Sequence, residues 1–398
     1  MSEGERRRYT LALLLALTGT SMFSLQFFVP AMPALVGVFD TTPAMVQLTL
    51  TLFMVTYGVF QAIYGPLSDR YGRKPVLLGA FAIYIAGSFL GAAAMSIEVV
   101  ILARMLQAVG AAAGFVLVPA VVRDVYGHQG APRAMGYVSM ANGSISALGP
   151  LIGGLIHQYA GWRYGLVATG ALGMTMVLLT AFYLAETRTG VVRQRIDVGA
   201  LARGYVSLAR VRGFLGYVLA VASVNGVFYS FLAGAAFVAI ENLGVSPSGF
   251  GLLMLPAVVF FMTASFLSDR IAARIGTHRV IYLGVSFTAT GAVGLLVVSL
   301  AGHQSVTALL IASAFMGMGN GQVLPAAISS AVSVDPRLSG TASAWIGVSQ
   351  MVIAAAASQI YGFIHDGTSV PVAALMSALA GTALLACILV AQRRAAAA

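Results

Sequence analysis

Charge is what this sequence is shortest of. Asp, Glu, Lys and Arg make up 9% of its 398 residues, against 59% apolar residues, whereas a soluble domain carries about a quarter charged residues. A soluble fold is excluded. Lysine is reduced to Lys74, which Pro75 follows; a phosphate-binding loop needs Gly-Lys-Ser/Thr, so ATP hydrolysis is excluded as an energy source. The lone cysteine, Cys387, rules out an intrachain disulfide. HExxH and GxSxG motifs are absent, as is any Cys/His cluster at metal-ligand spacing. The five histidines are scattered near predicted helix ends or in loops. The chain is therefore expected not to be an enzyme and to need no cofactor or metal. Nucleic-acid binding would need a basic folded surface, and the net charge of +10 is instead divided among short segments between apolar runs.

Long apolar runs are what it has. Crossing about 30 Å of hydrocarbon takes roughly 20 helical residues. Twelve spans are predicted at 9–37, 45–68, 75–95, 97–122, 133–158, 163–184, 214–240, 248–269, 279–300, 304–332, 338–363 and 370–392. They are continuously apolar with no period of two, which favours helices over a barrel. Arg6, Arg7 and Arg8 followed by an apolar run resemble a signal peptide. The run continues for about 27 residues, past a usual h-region, so an uncleaved first helix is expected. Of the 22 lysines and arginines, all but Arg104 and Arg163 fall on one side of these spans. The positive-inside rule then puts both termini in the cytoplasm, and the basic excess reports topology and contact with anionic lipid.

A charged turn organises the chain. Gly65 to Leu77 reads Gly-Pro-Leu-Ser-Asp-Arg-Tyr-Gly-Arg-Lys-Pro-Val-Leu, and Ser268-Asp269-Arg270 recurs in the same setting, followed by Arg274, Gly276, His278 and Arg279. A tight loop at a membrane face is expected in each copy, and a duplicated architecture with it. The expected fold is an all-α membrane protein, 12 transmembrane helices in two six-helix parallel repeats. A first bundle over 1–186 and a second over 214–398 flank a linker at 187–213. Within the linker Val198, Leu201, Tyr205 and Leu208 recur at helical spacing, as in an amphipathic surface helix.

Inside the spans, polar residues are few enough to name. Gln26 precedes Pro30 and Pro33; the prolines bend the first helix, setting its shape or turning Gln26 towards a cavity. Arg104 is the one charge placed within hydrocarbon, at about 2.5–3.5 kcal/mol by insertion scales, so it must face protein or water. It either holds helices together or serves function, with Gln107 one turn on. Gly143, Ser146, Ala147, Gly149, Pro150, Gly153 and Gly154 form a small-residue stripe that lets another backbone approach. In the second half Asn225, Tyr229, Asn320, Gln322 and Gln350 are each more often an interhelical hydrogen bond than a ligand contact.

Taken together, these motifs resemble the major facilitator superfamily. Gly65-Pro-Leu-Ser-Asp69-Arg70-Tyr-Gly72-Arg73-Lys74 matches its signature loop nearly in full. Arg104-Met-Leu-Gln107-Ala-Val-Gly110 is similar to its fourth-helix motif, with Ala108 where glycine is usual. Gly149-Pro150-Leu-Ile-Gly153-Gly154, with Gly136 before it and Ile145 replacing a glycine, resembles its fifth-helix antiporter motif. Val29-Pro30-Ala-Met-Pro33, Gln47-Leu-Thr-Leu and Arg123-Asp124-Val-Tyr are similar to the Bcr/CflA branch of bicyclomycin and chloramphenicol exporters.

The resemblance implies a drug:proton antiporter of the inner membrane that works by alternating access around a cavity lined by the first, fourth, seventh and tenth helices. It implies gating by Gly65, Asp69, Arg70, Gly72, Arg73, Asp124 and Asp269. Asp69 would approach the N-terminus of the eleventh helix, and Arg73 would pair with Asp124. Candidate substrate contacts are Phe23, Gln26, Phe27, Arg104, Gln107, Asn225 and Tyr229, with Phe228 in the walls. Such exporters usually carry an aspartate where this chain has Gln26, and all 12 acids lie outside the predicted membrane centre. The expected cargo is a neutral or anionic amphipathic small molecule. Protons are the expected coupling ion, the lipid bilayer the expected surroundings, and the transporter a monomer. A metabolite or siderophore exporter, or a facilitator uncoupled by Gln26, is the rival reading.

Overall fold

The computed structural model describes residues 3–187, 205–335 and 338–397. Among them every regular element is helical: α1 Glu3–Gln26, α2 Met32–Val38, α3 Pro43–Tyr71, α4 Arg73–Ala92, α5 Ile97–Ala160, α6 Trp162–Tyr183, α7 Arg212–Phe237, α8 Pro247–Leu253, α9 Leu255–Ile275, α10 Thr277–Leu300, α11 Val306–Val332, α12 Ser339–Ile364 and α13 Val370–Ala397. Among the described residues eleven stretches are long and apolar enough to cross a membrane. The leg of α5 beyond Gly127 is a further helix outside that set.

The sequence explains where these helices break. Proline at position i cannot bond the carbonyl of i−4 and crowds it. Pro30 does this to Gln26, where α1 ends. A single 3-10 turn, Val29–Ala31, then leads into α2. The bend predicted at the prolines thus falls earlier: the helix ends at Gln26, four residues before Pro30, and Phe27 and Phe28 form the turn. Pro256 works the same way on Leu252, and α8 gives way to α9 at Met254. Helix starts are capped where the sequence permits: Thr42 accepts from the Met45 N–H at 3.3 Å ahead of Pro43, and Ser305 from that of Ala308 at 3.2 Å.

The predicted charged loops are not loops. Helix α3 runs through Asp69 and Arg70 to Tyr71, and α4 starts at Arg73, so Gly72 alone makes the turn, at φ 95°. Gly276 repeats this between α9 and α10 at φ 88°. Glycine reaches this region without the Cβ penalty of other residues. The break predicted between residues 122 and 133 is present but narrow: two helical legs meet at Gly127, whose φ of 62° and ψ of −175° are not helical. Helix continues from Ile97 to Ala160 on either side of it.

The described chain forms two compact units. One holds Met1–Ile196 with Ser246–Gly251, the other Asp197–Val245 with Leu252–Ala398. In the first, α5 packs against α1, α3 and α4, and α6 against α4. In the second, α11 packs against α10 and α9, and α7 against α12 and α13. Close backbone approach drives both, as expected where lipid offers no hydrophobic contrast. A Cβ on Gly110 would lie 2.5 Å from the Ala80 carbonyl, and one on Gly319 2.5 Å from that of Gly284. Of the predicted amphipathic helix, Val198 and Leu201 lie outside the described residues. Residues 205–210 are helical, with Leu208 buried and the Tyr205 carbonyl accepting from Trp345 Nε1 at 3.3 Å.

Candidate functional site

Arg104 sits at the heart of the first unit and is 0% exposed. Its Nη1 donates to Gln107 Oε1 at 2.7 Å, and Gln107 Nε2 donates to Ser88 Oγ at 2.8 Å and Thr169 Oγ1 at 3.1 Å. Nε and Nη2 have no hydrogen-bond acceptor. Three aromatic faces stand there instead: Phe53 at 4.3 Å, Phe28 at 5.0 Å and Phe27 at 5.4 Å from Cζ. Cation–π contacts give about 2 kcal/mol when desolvated, so the rings offset part of the burial cost of an arginine without a carboxylate. Arg104 and Gln107 were expected as direct substrate contacts; in this structure both are sealed inside the helix bundle. The protein engages its guanidinium through one hydrogen bond and three ring faces and leaves two of its nitrogens unbonded.

In front of that arginine lies the break in the first span. Gln26 is 3% exposed and its Oε1 has no hydrogen-bond partner. Phe27 stacks on Phe23 at 5.3 Å. The antiporter-motif glycines are what let this break approach α5. A Cβ on Gly153 would fall 1.9 Å from the Phe27 carbonyl oxygen, and one on Gly149 3.3 Å from Gln26 Cβ. Gly154 faces the Pro247 carbonyl, where a Cβ would be 2.2 Å away, and Pro150 lies buried between these contacts. The structure thus brings Phe23, Gln26, Phe27, Gly149 and Gly153 to one place, with Arg104 behind Phe27.

The charged cluster forms a second centre in the same unit. Arg73 Nη2 lies 2.9 Å from Asp69 Oδ1, and its Nε 3.4 Å from Asp124 Oδ2; Nη1 donates to Ser68 Oγ. Ser68 in turn donates to the Gly65 carbonyl at 2.9 Å. Two residues that the sequence reading missed complete the cluster. Glu186 accepts from the backbone N–H groups of Arg73 at 3.0 Å and Lys74 at 3.1 Å, placing a carboxylate on the N-terminus of α4. Thr187 donates to Asp124 Oδ2 at 3.2 Å. Arg70 stands apart, over the Tyr71 ring at 5.2 Å. In the second unit Asp269 is exposed, and the adjacent Arg270 lies 4.3 Å from the centre of the Phe266 ring.

The polar residues of the second unit's spans are buried without full satisfaction. Asn225 Nδ2, both amide atoms of Asn320 and Gln322 Oε1 lack hydrogen-bond partners. Tyr229 is 5% exposed and meets Phe228 edge-on at 5.2 Å. Unpaired buried amides are costly.

Two units of glycine-packed spanning helices with buried polar centres define a multi-pass membrane transporter rather than an enzyme. The sequence matches the family model described as Major Facilitator Superfamily over residues 14–358, and the chain belongs to that family. It is 30% identical to a chloramphenicol resistance protein of Pseudomonas aeruginosa, over 96% of this chain and 91% of that one. It is 24% identical to a bicyclomycin resistance protein homolog of Haemophilus influenzae, over 92% and 91% respectively. In fold it is similar to the crystal structure of the nucleoside transporter NupG, with a TM-score of 0.76 at 11% identity, covering 96% of this chain and 98% of that one.

Proposed function

We propose that this transporter exports neutral or anionic amphipathic small molecules, of the amphenicol or bicyclomycin kind, across the inner membrane. It does so as a monomer by alternating access, through twelve spans with both termini in the cytoplasm, in exchange for protons. The whole-length similarity to drug-resistance proteins supports the substrate class. The buried charges carry the selectivity argument: among the described residues Arg73 and Arg104 are the buried charged side chains, and no Asp or Glu is buried. Arg73 is paired with Asp69 and Asp124, so Arg104, buried without a carboxylate, is the positive centre that repels cations. Phe23, Gln26, Phe27, Asn225 and Tyr229 are the proposed contacts. Gln107 holds Arg104, which sets the potential behind Phe27. The signature residues Gly65, Asp69, Arg70, Gly72, Arg73, Asp124 and Asp269 are assigned to gating, and Gly149, Pro150, Gly153 and Gly154 to the approach of the first span.

Gln26 favours a second reading. Glutamine does not titrate, and where exporters of this branch usually place an aspartate the chain offers no proton acceptor, as in an uncoupled facilitator or an exporter of a metabolite or siderophore. Purified protein in liposomes, given neutral, anionic and cationic compounds while proton movement is followed, separates the readings when run beside Gln26→Asp. Substrate-dependent proton movement in the wild type is the expected result. Flux without proton movement until Gln26→Asp restores it establishes the facilitator. Transport of lipophilic cations that survives Arg104→Ala and is lost in Gln26→Ala overturns the charge argument.

A further inference from the structure

One end of the second unit joins a histidine to a distorted helix. After Phe237 the α7 helix widens into a π turn, Val238–Asn242, and such turns insert an extra residue into the ladder at a cost in regularity. At its start the Val238 N–H is shared between the carbonyls of Gly234 and Ala235. The Gly234 carbonyl also faces the hydroxyl of Tyr361, at 3.3 Å, and that hydroxyl lies 2.8 Å from Nδ1 of His365. Tyr361 is 0% exposed, and His365 packs on Phe237 with ring centres 5.3 Å apart. The far end of the same turn is tied to the same segment, since Asn242 Nδ2 donates to the Gly367 carbonyl.

We propose that His365 is a proton-binding site whose occupancy, read through Tyr361, sets the hydrogen bonding of the Gly234 carbonyl and hence the balance of α and π geometry at the end of α7. The proposal rests on the proton-coupled reading above and gives that reading a titrating group other than a buried carboxylate. The hydroxyl has one hydrogen and two neighbours. With His365 neutral and its proton on Nε2, the Tyr361 O–H donates to Nδ1, the shorter of the two contacts. A proton from water adds to Nδ1, which then donates to the Tyr361 oxygen. The phenol hydrogen is released to the Gly234 carbonyl and competes there with the Val238 N–H. No covalent bond other than the new N–H forms, and the phenol stays neutral throughout.

Other titratable groups stand near this site: Glu241 on the π turn, Asp366 beside the histidine and His303, which with Val238 and Ser369 lines the adjoining crevice. Burial holds the His365 imidazole below the usual histidine range, while Asp366 pulls it back up. Neutral His365 therefore prevails at pH 7, and the proton binds on the acid side of about 6.5.

The test is amide hydrogen exchange of residues 234–242 in lipid nanodiscs between pH 5 and 8, corrected for intrinsic rates, with no drug present. The wild type is expected to show a severalfold step in protection below pH 6.5. His365→Gln and Tyr361→Phe, the second of which keeps the ring packing, are expected to be flat. A flat wild type, or a step that survives in His365→Gln and disappears in Glu241→Gln, overturns the proposal. A parallel liposome assay with chloramphenicol separates the two readings. A wild type that moves no chloramphenicol but keeps its exchange step sinks the substrate assignment and leaves the proton site standing.

Discussion

The two charged turns start from the same three residues and end differently. Ser68-Asp69-Arg70 and Ser268-Asp269-Arg270 each lead into a one-residue turn on a glycine, Gly72 at φ 95° and Gly276 at φ 88°. Around Gly72 a charge network has grown. Arg73 holds Asp69, Asp124 and Ser68, and Glu186 caps the next helix through two backbone N–H groups. At Gly276 Thr277 stands where the first copy has Arg73, and a Cβ on the glycine would meet nothing within 4 Å where the first copy has Glu186. The backbone device is therefore separable from the electrostatics added to it. Sequence repetition in this chain reports the first and not the second.

Alanine at the two glycines breaks the comparison most sharply. Gly72 (φ 95°, ψ 155°) and Gly276 (φ 88°, ψ 144°) lie in or beside an extended positive-φ region that costs a non-glycine residue about 1–3 kcal/mol. At Gly72 a Cβ would also fall 2.6 Å from Glu186 Oε2 and displace the carboxylate, while at Gly276 nothing lies within 4 Å. Thermal unfolding in detergent is expected to show Gly72→Ala losing about 2–3 kcal/mol, roughly 1 kcal/mol more than Gly276→Ala, the worth of a helix cap. The next effect is smaller: Glu186→Ala alone loses about 1 kcal/mol by the same measurement. In the Glu186→Ala background the two glycine substitutions become equal; a persisting gap would assign the difference to something other than the cap. Smallest of all on stability, Asp269→Asn shifts thermal unfolding by less than about 0.5 kcal/mol, as surface charges do. Asp69→Asn, which strips Arg73 of its nearest partner, is expected to lower efflux at least severalfold in whole-cell resistance assays.

How far the sequence carried follows from the kind of force involved. Transfer energies mark apolar runs plainly, so eleven of the twelve predicted spans match apolar helices of the described residues to within about six residues. Proline geometry was legible in kind and mislocated in place: the helix fails at Gln26, four residues before Pro30, because the clash is with the i−4 carbonyl. Polar residues between 123 and 133 read as a turn, yet one glycine at φ 62° suffices and the helix resumes at once. Arg104 was correctly required to face protein or water. That its neighbours are three phenylalanine rings depends on tertiary packing that spacing does not record. Glu186 left no trace, since a carboxylate that bonds backbone N–H groups 113 and 112 residues away has no motif to belong to.

Turning on single glycines also decides what a binding reagent can hold. Where α3 meets α4 and α9 meets α10 there is almost no free backbone for an antibody fragment to thread or a protease to unfold into its cleft. A conformation-trapping binder aimed at those edges has to grip helix-end side chains, and Lys74, whose Nζ is already engaged by the Ala181 carbonyl at 2.7 Å, is the lone amine there for chemical labelling. Reporter tags for following transport belong elsewhere, because lengthening either turn by even one residue rotates the helix beyond it by about 100°.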